Sequence, residues 1–167
     1  MDSLLHTPEG VRDIYNEECS KKNALSAKLD RILKLYGYKD IQTPTFEFFD
    51  IFNRERGSVS SRNMYKFIDR DGSTLVLRPD ITPSIARAVA KYFKEETIPL
   101  RFSYCGNTFI NNSSLQGKMK ETTQLGAELI GDRDIEGDAE VVALAIHLLL
   151  ESGLTDFQLD IGHVGLF

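Results

Sequence analysis

The sequence predicts an α+β fold, a mainly antiparallel sheet flanked by helices. Three observations carry that prediction. Apolar residues recur at helical spacing in two long segments, from about Asp13 to Tyr36 and from Ala139 to Leu150. Most strand-like runs between them are joined by short polar turns, as hairpins require. The longest run alternates polar and apolar side chains, the pattern of a half-buried strand.

The first helix carries Leu25, Leu29, Ile32, Leu33 and Tyr36 on one face and stops at Gly37. Tyr38 to Ile41 and Phe46 to Phe49 follow as short strands, separated by Pro44, whose missing N–H suits a break. Gly57 to Asn63 is a polar loop. Met64 to Ile68 and Thr74 to Leu77 flank an Asp71-Gly72 turn and form a hairpin. Thr82 and Pro83 serve as N-cap and first residue of a second helix, with Ile81, Ile85, Ala88, Val89 and Tyr92 on its inner face. Arg101 to Phe109 and Lys118 to Ile130 are two longer strands around the polar loop Asn111 to Gly117. The last helix presents Ala139, Val142, Ala143, Ile146, Leu149 and Leu150 and stops at Gly153. Phe157, Leu159 and Ile161 alternate with polar residues as a closing strand.

At 167 residues and 41% hydrophobic content, one domain with a core is expected over residues 1–167. Its termination just beyond that strand reads as the N-terminal portion of a longer chain. The net charge of −5 and the absence of a Lys/Arg run disfavour RNA binding by this segment alone. Cys19 and Cys105 lack the spacing of a disulfide scaffold or a zinc site, and a reducing cytoplasm fits them best. Neither a secretory leader nor a run of about 18 apolar residues is present, so no membrane span is expected. His6, His147 and His163 are scattered and define no metal site, and no phosphate-binding glycine loop or nucleophile elbow occurs.

Two segments carry candidate chemistry. Alternation puts Thr122, Gln124, Gly126 and Glu128 on one face of the strand, with Leu125, Ala127 and Leu129 on the other. Gly126 would leave a shallow gap between an amide and a carboxylate, large enough for a small zwitterion held by charge-assisted hydrogen bonds. An ordinary solvated sheet face has the same pattern. Arg78-Pro79-Asp80-Ile81-Thr82-Pro83 joins a strand to a helix and places an acid and a hydroxyl where either ligand binding or simple capping would use them.

The ordered set Gly37-Tyr38-Lys39-Asp40-Ile41-Gln42-Thr43-Pro44, Met64-Tyr65-Lys66-Phe67-Ile68-Asp69 and Leu77-Arg78-Pro79-Asp80 resembles the catalytic core of histidyl-tRNA synthetases. Arg101 to Gly131 resembles motif 2 of class II aminoacyl-tRNA synthetases, and Thr123 to Gly131 matches that family's histidine-pocket strand. Together these motifs favour ligand binding over the solvated-face reading for Gln124 and Glu128. The segment Arg78 to Arg87 is closer to the synthetase-like branch that regulates ATP phosphoribosyltransferase in histidine biosynthesis. That resemblance implies a truncated class II synthetase-like core and a non-catalytic subunit that partners the short-form catalytic subunit. It further implies self-association through motif 1, ending at Pro44, and free histidine as effector. Asp80, Thr82 and Gln124 would meet the α-amino end of histidine, and Glu128 would help fix the ligand. No catalytic residue, metal or cofactor is implied, and tRNA binding is disfavoured.

The sequence departs from the synthetase pattern at one decisive point. Ile110 follows Phe109 where synthetases place the motif 2 arginine that touches the amino-acid carboxylate and the ATP α-phosphate. Losing such a cation typically costs about a hundredfold or more in rate, so adenylate formation is expected to fail. Lys118 and Lys120 stand where further arginines belong and lack the bidentate fork. A genuine synthetase fragment and a pure assembly scaffold are the alternatives.

Overall fold

The computed structural model describes residues 5–53, 59–112 and 117–162. Its elements in chain order are α1 (Asn16–Leu35), β1 (Lys39–Asp40), β2 (Phe46–Phe48), β3 (Lys66–Ile68), β4 (Thr74–Leu77), α2 (Thr82–Tyr92), β5 (Leu100–Phe109), β6 (Glu121–Ile130) and α3 (Ile135–Glu151). The α+β class holds. The strands form two three-stranded sheets instead of one, ordered β1-β5-β6 and β2-β4-β3.

The small sheet is antiparallel throughout, and the expected hairpin pairs Lys66 with Val76 and Ile68 with Thr74. In the larger sheet β5 and β6 pair antiparallel over their full length, from Leu100↔Ile130 to Phe109↔Glu121. β1 runs parallel to β5, which the sequence did not reveal. A parallel pair needs a long crossover, and here the small sheet and α2 fill the chain between the two strands.

The helices sit on opposite faces of the larger sheet. α1 ends as expected: Gly37 adopts φ +82°, and the Tyr38 N–H bonds back to the Leu33 carbonyl at 3.0 Å. Ile32, Leu33, Tyr38 and Leu144 of α3 form a buried cluster against Leu125 and Ala127 of β6. Leu25, expected on this inner face, is largely exposed because the contact uses the C-terminal half of α1. On the other face Ile81 and Ile85 of α2 pack on Phe102, joined by Val89, Phe93 and Tyr104. Tyr92 points to solvent, and Phe93 replaces it, meeting Phe102 edge-on at 5.0 Å. In α3 the packed positions are Gly137, Leu144 and Leu148, not the stripe through Ala139, Ala143 and Leu150. α3 is apolar over most of its circumference, so its periodicity did not single out the inner face.

Residues 157–161 are not a strand; no neighbouring strand among the described residues supplies a ladder for their backbone. Two ion pairs tie the layers together. Arg87 of α2 holds the buried Glu47 of β2 at 2.6 Å. Arg101 of β5 grips Glu140 of α3 through Nε at 2.7 Å and Nη2 at 2.6 Å.

Candidate functional site

The β5–β6 register builds one continuous polar face. Opposed residues of an antiparallel pair share a face, so Thr108 lies beside Thr122, Gly106 beside Gln124, Tyr104 beside Gly126 and Phe102 beside Glu128. Leu125 and Ala127 point the other way, into the α1–α3 cluster, as alternation predicts. α2 begins above the polar face and brings the Arg78–Thr82 segment onto it.

Thr82 is the first residue of α2, not its N-cap. The N-cap is Ile81, and Asp80 before it accepts through Oδ1 from the N–H of Ile81 at 2.7 Å and of Thr82 at 3.4 Å. The Thr82 hydroxyl donates to Glu128 Oε1 at 2.6 Å. The Glu128 carboxyl is raised above its ordinary range, chiefly because burial strips its water; the Thr82 hydrogen bond opposes that rise and the Asp80 charge adds to it. Asp80, Thr82 and Glu128 therefore converge. Gln124 lies on the same face, and its Oε1 is buried with no hydrogen-bond partner among the described residues.

Gly126 does not leave a gap. The ring of Tyr104 crosses the strand above it, so that a Cβ at Gly126 would stand 2.5 Å from the Tyr104 hydroxyl oxygen. The glycine is needed so that an aromatic side chain can lie flat between Gln124 and Glu128. Burial pushes the Tyr104 hydroxyl up, with the Glu128 charge next in importance. Tyr104 is thus a member of the site.

A second glycine, Gly106 of β5, makes the same kind of room for Arg78. A Cβ at Gly106 would collide with Arg78 Nη2, so the guanidinium also lies over the polar face. Arg78 is only 7% exposed. Its Nε donates to the Asn107 carbonyl at 2.8 Å and its Nη1 to the Thr43 carbonyl at 2.8 Å, while its backbone joins Thr45 and Phe109. These bonds lock the chain before α2 to the sheet.

The candidate residues Asp80, Thr82, Gln124 and Glu128 all lie on or above the one polar face, which also carries Tyr104 and the Arg78 side chain, neither of them a candidate from the sequence. Their signal is the pair of glycines that face them, which becomes visible only once the register is known. Ile110 continues the ladder through its N–H to the Lys120 carbonyl at 2.9 Å. His147 Nδ1 lies 3.3 Å from the Tyr36 hydroxyl, a packing contact between α1 and α3. His163 falls outside the described residues. Among the described residues no cluster of His, Cys, Asp or Glu could hold a metal, and no helix is long and apolar enough to cross a membrane. Cys19 and Cys105 are free thiols.

A class II synthetase-like core presents such a polar sheet face beneath a helix start, and comparison with known proteins agrees. The histidyl-tRNA synthetase family model matches residues 10–167, and the chain belongs to that family. Among its relatives are ATP phosphoribosyltransferase regulatory subunits. That of Acetivibrio thermocellus is 45% identical over 98% of this chain and 39% of its own length. That of Ruminiclostridium cellulolyticum is 42% identical over the same shares. A solved ATP phosphoribosyltransferase regulatory subunit/histidyl-tRNA synthetase from Bacillus halodurans superposes with a TM-score of 0.83 at 37% identity, over 92% of this chain and 39% of that one. Apo histidyl-tRNA synthetase from S. aureus gives 0.75 at 31% identity, over 90% and 35%. The chain thus spans about two fifths of the curated relatives it matches.

Proposed function

We propose that this chain belongs to a non-catalytic regulatory subunit of ATP phosphoribosyltransferase, required for the first step of histidine biosynthesis and for its feedback control by histidine. One observation supports the reading: Asp80, Thr82 and Glu128 converge over a polar face that also carries Gln124; by the family resemblance Ile110 stands where synthetases carry the motif 2 arginine. Asp80, Thr82 and Gln124 take the α-amino end of histidine, and Glu128 fixes the ligand further along the face. Recognition survives where activation does not. The names of the regulatory-subunit relatives support the same assignment.

The partner is the short-form catalytic subunit, and histidine acts by biasing how the two subunits sit together. A cytoplasmic setting suits a biosynthetic subunit with free thiols. Self-association follows motif 1, which ends at Pro44. Just beyond it the small sheet exposes Phe46 at 53% and Phe48 at 57%, with Phe46 edge-on to Phe67 at 5.9 Å. An apolar sheet face of this kind suits a second copy of the chain.

The likeness to the S. aureus synthetase favours a second reading, an aminoacylating enzyme with an altered motif 2. Reconstitution decides between them. The full-length parent protein, mixed with the short-form catalytic subunit, should raise phosphoribosyltransferase activity and make it sensitive to histidine. Unchanged activity and no histidine response would overturn the proposal.

A further inference from the structure

The polar face holds a buried cation that the histidine site just described leaves unused. Arg78 is more than nine-tenths buried, and among the described residues no carboxylate forms an ion pair with it. A buried guanidinium without a counter-ion is costly, and carbonyl partners offset only a fraction of that cost. Nε and Nη1 are committed to the Asn107 and Thr43 carbonyls. Nη2 is the end that lies over Gly106, the residue paired with Gln124.

We propose that Arg78 Nη2 binds the carboxylate of the amino acid whose ammonium group is received by Gln124 Oε1 and the Asp80–Thr82 corner. This rests on the histidine reading above and deepens it. In an α-amino acid the ammonium and carboxylate share one carbon, so their receptors must be neighbours. Among the described residues Gln124 Oε1 is a buried acceptor without a donor, and Arg78 Nη2 is a donor lying over Gly106, the residue paired with Gln124 in the β5–β6 ladder. Arg78 thereby supplies, from the start of α2, a carboxylate contact that Ile110 cannot make from the end of β5. It arrives with its fork already held by backbone carbonyls, so little side-chain entropy is lost on binding.

Calorimetric titration of the full-length parent protein with histidine and with histamine, which lacks the carboxylate, tests the assignment. The parent should prefer histidine by about tenfold or more, the worth of a charge-assisted hydrogen bond. Two variants should lose that preference while keeping histamine binding. Arg78→Lys removes the fork, and Gly106→Ala displaces the guanidinium without removing its charge. If Arg78→Lys fails to fold because the Thr43 and Asn107 bonds are lost, Gly106→Ala decides. A folded variant that retains the parent's preference overturns the role of Arg78, as does a parent that binds both ligands equally. A parent that binds neither overturns the histidine reading as well, and the two failures are told apart.

Discussion

The Thr82 hydroxyl donates a 2.6 Å hydrogen bond to Oε1 of Glu128, joining the first turn of α2 to the middle of the polar sheet face. It sets the orientation of a carboxylate that burial would otherwise leave poorly solvated.

Thr82→Val removes that donor and keeps the shape. Histidine affinity of the full-length parent should fall, by about tenfold for a lost hydrogen bond to a charged group. Calorimetry reads the change, with an unchanged circular dichroism spectrum showing that the fold persists.

The raised Glu128 carboxyl has a defined stability signature. A carboxylic acid whose folded-state affinity for protons exceeds its unfolded value favours folding while protonated, and that contribution fades as pH rises through the folded value. Glu128→Gln mimics the protonated form. The variant should therefore melt higher than the parent near neutral pH, with the difference vanishing below the ordinary carboxylate range. Thermal melts of both proteins across pH check this.

Glu140 has the opposite sign. The Arg101 hydrogen bond is the main cause holding its carboxyl below the usual range, so this pair stabilises the fold at neutral pH and the effect is lost in acid. Glu140→Gln should cost about 1 kcal/mol at neutral pH, since the pair is bidentate but only partly buried, and progressively less as pH falls. Urea unfolding measures it.

Gly126→Ala forces a methyl group against the Tyr104 ring. The expected cost is about 1–3 kcal/mol of stability. Pairing it with Tyr104→Ala should return some of that loss, because the two changes act on the same space. A double-mutant cycle by chemical denaturation reads the coupling.

The fold was legible where the chain is locally explicit. Gly37 stops α1, Asp71-Gly72 turns the hairpin, and the alternation from Thr122 to Glu128 separates the polar face from the packed face. What the sequence did not disclose depends on distant partners. The parallel pairing of β1 with β5 has no local signature. α3 is apolar on too many sides to announce that Leu144 and Leu148 face inward, and Phe157 to Ile161 alternate like a strand without a ladder to join. The sequence motifs single out Asp80, Thr82, Gln124 and Glu128, which the register and α2 bring to one polar face. The placement of Tyr104 and Arg78 over that face was not legible, because each lies over a glycine distant in sequence, and register alone reveals that contact.

Phe48→Glu tests self-association. Placed on the exposed face beside Phe46 and Phe67, a charge should shift the full-length parent toward monomer without unfolding it. Sedimentation velocity reports the state.

The central claim is that the site recognises histidine and does not activate it. Histidine-dependent exchange of pyrophosphate into ATP by the folded full-length parent tests it most directly. No exchange above background is predicted, on the proposal that Ile110 stands where a synthetase carries its motif 2 arginine. Sustained exchange would contradict the account and identify the parent as a working synthetase.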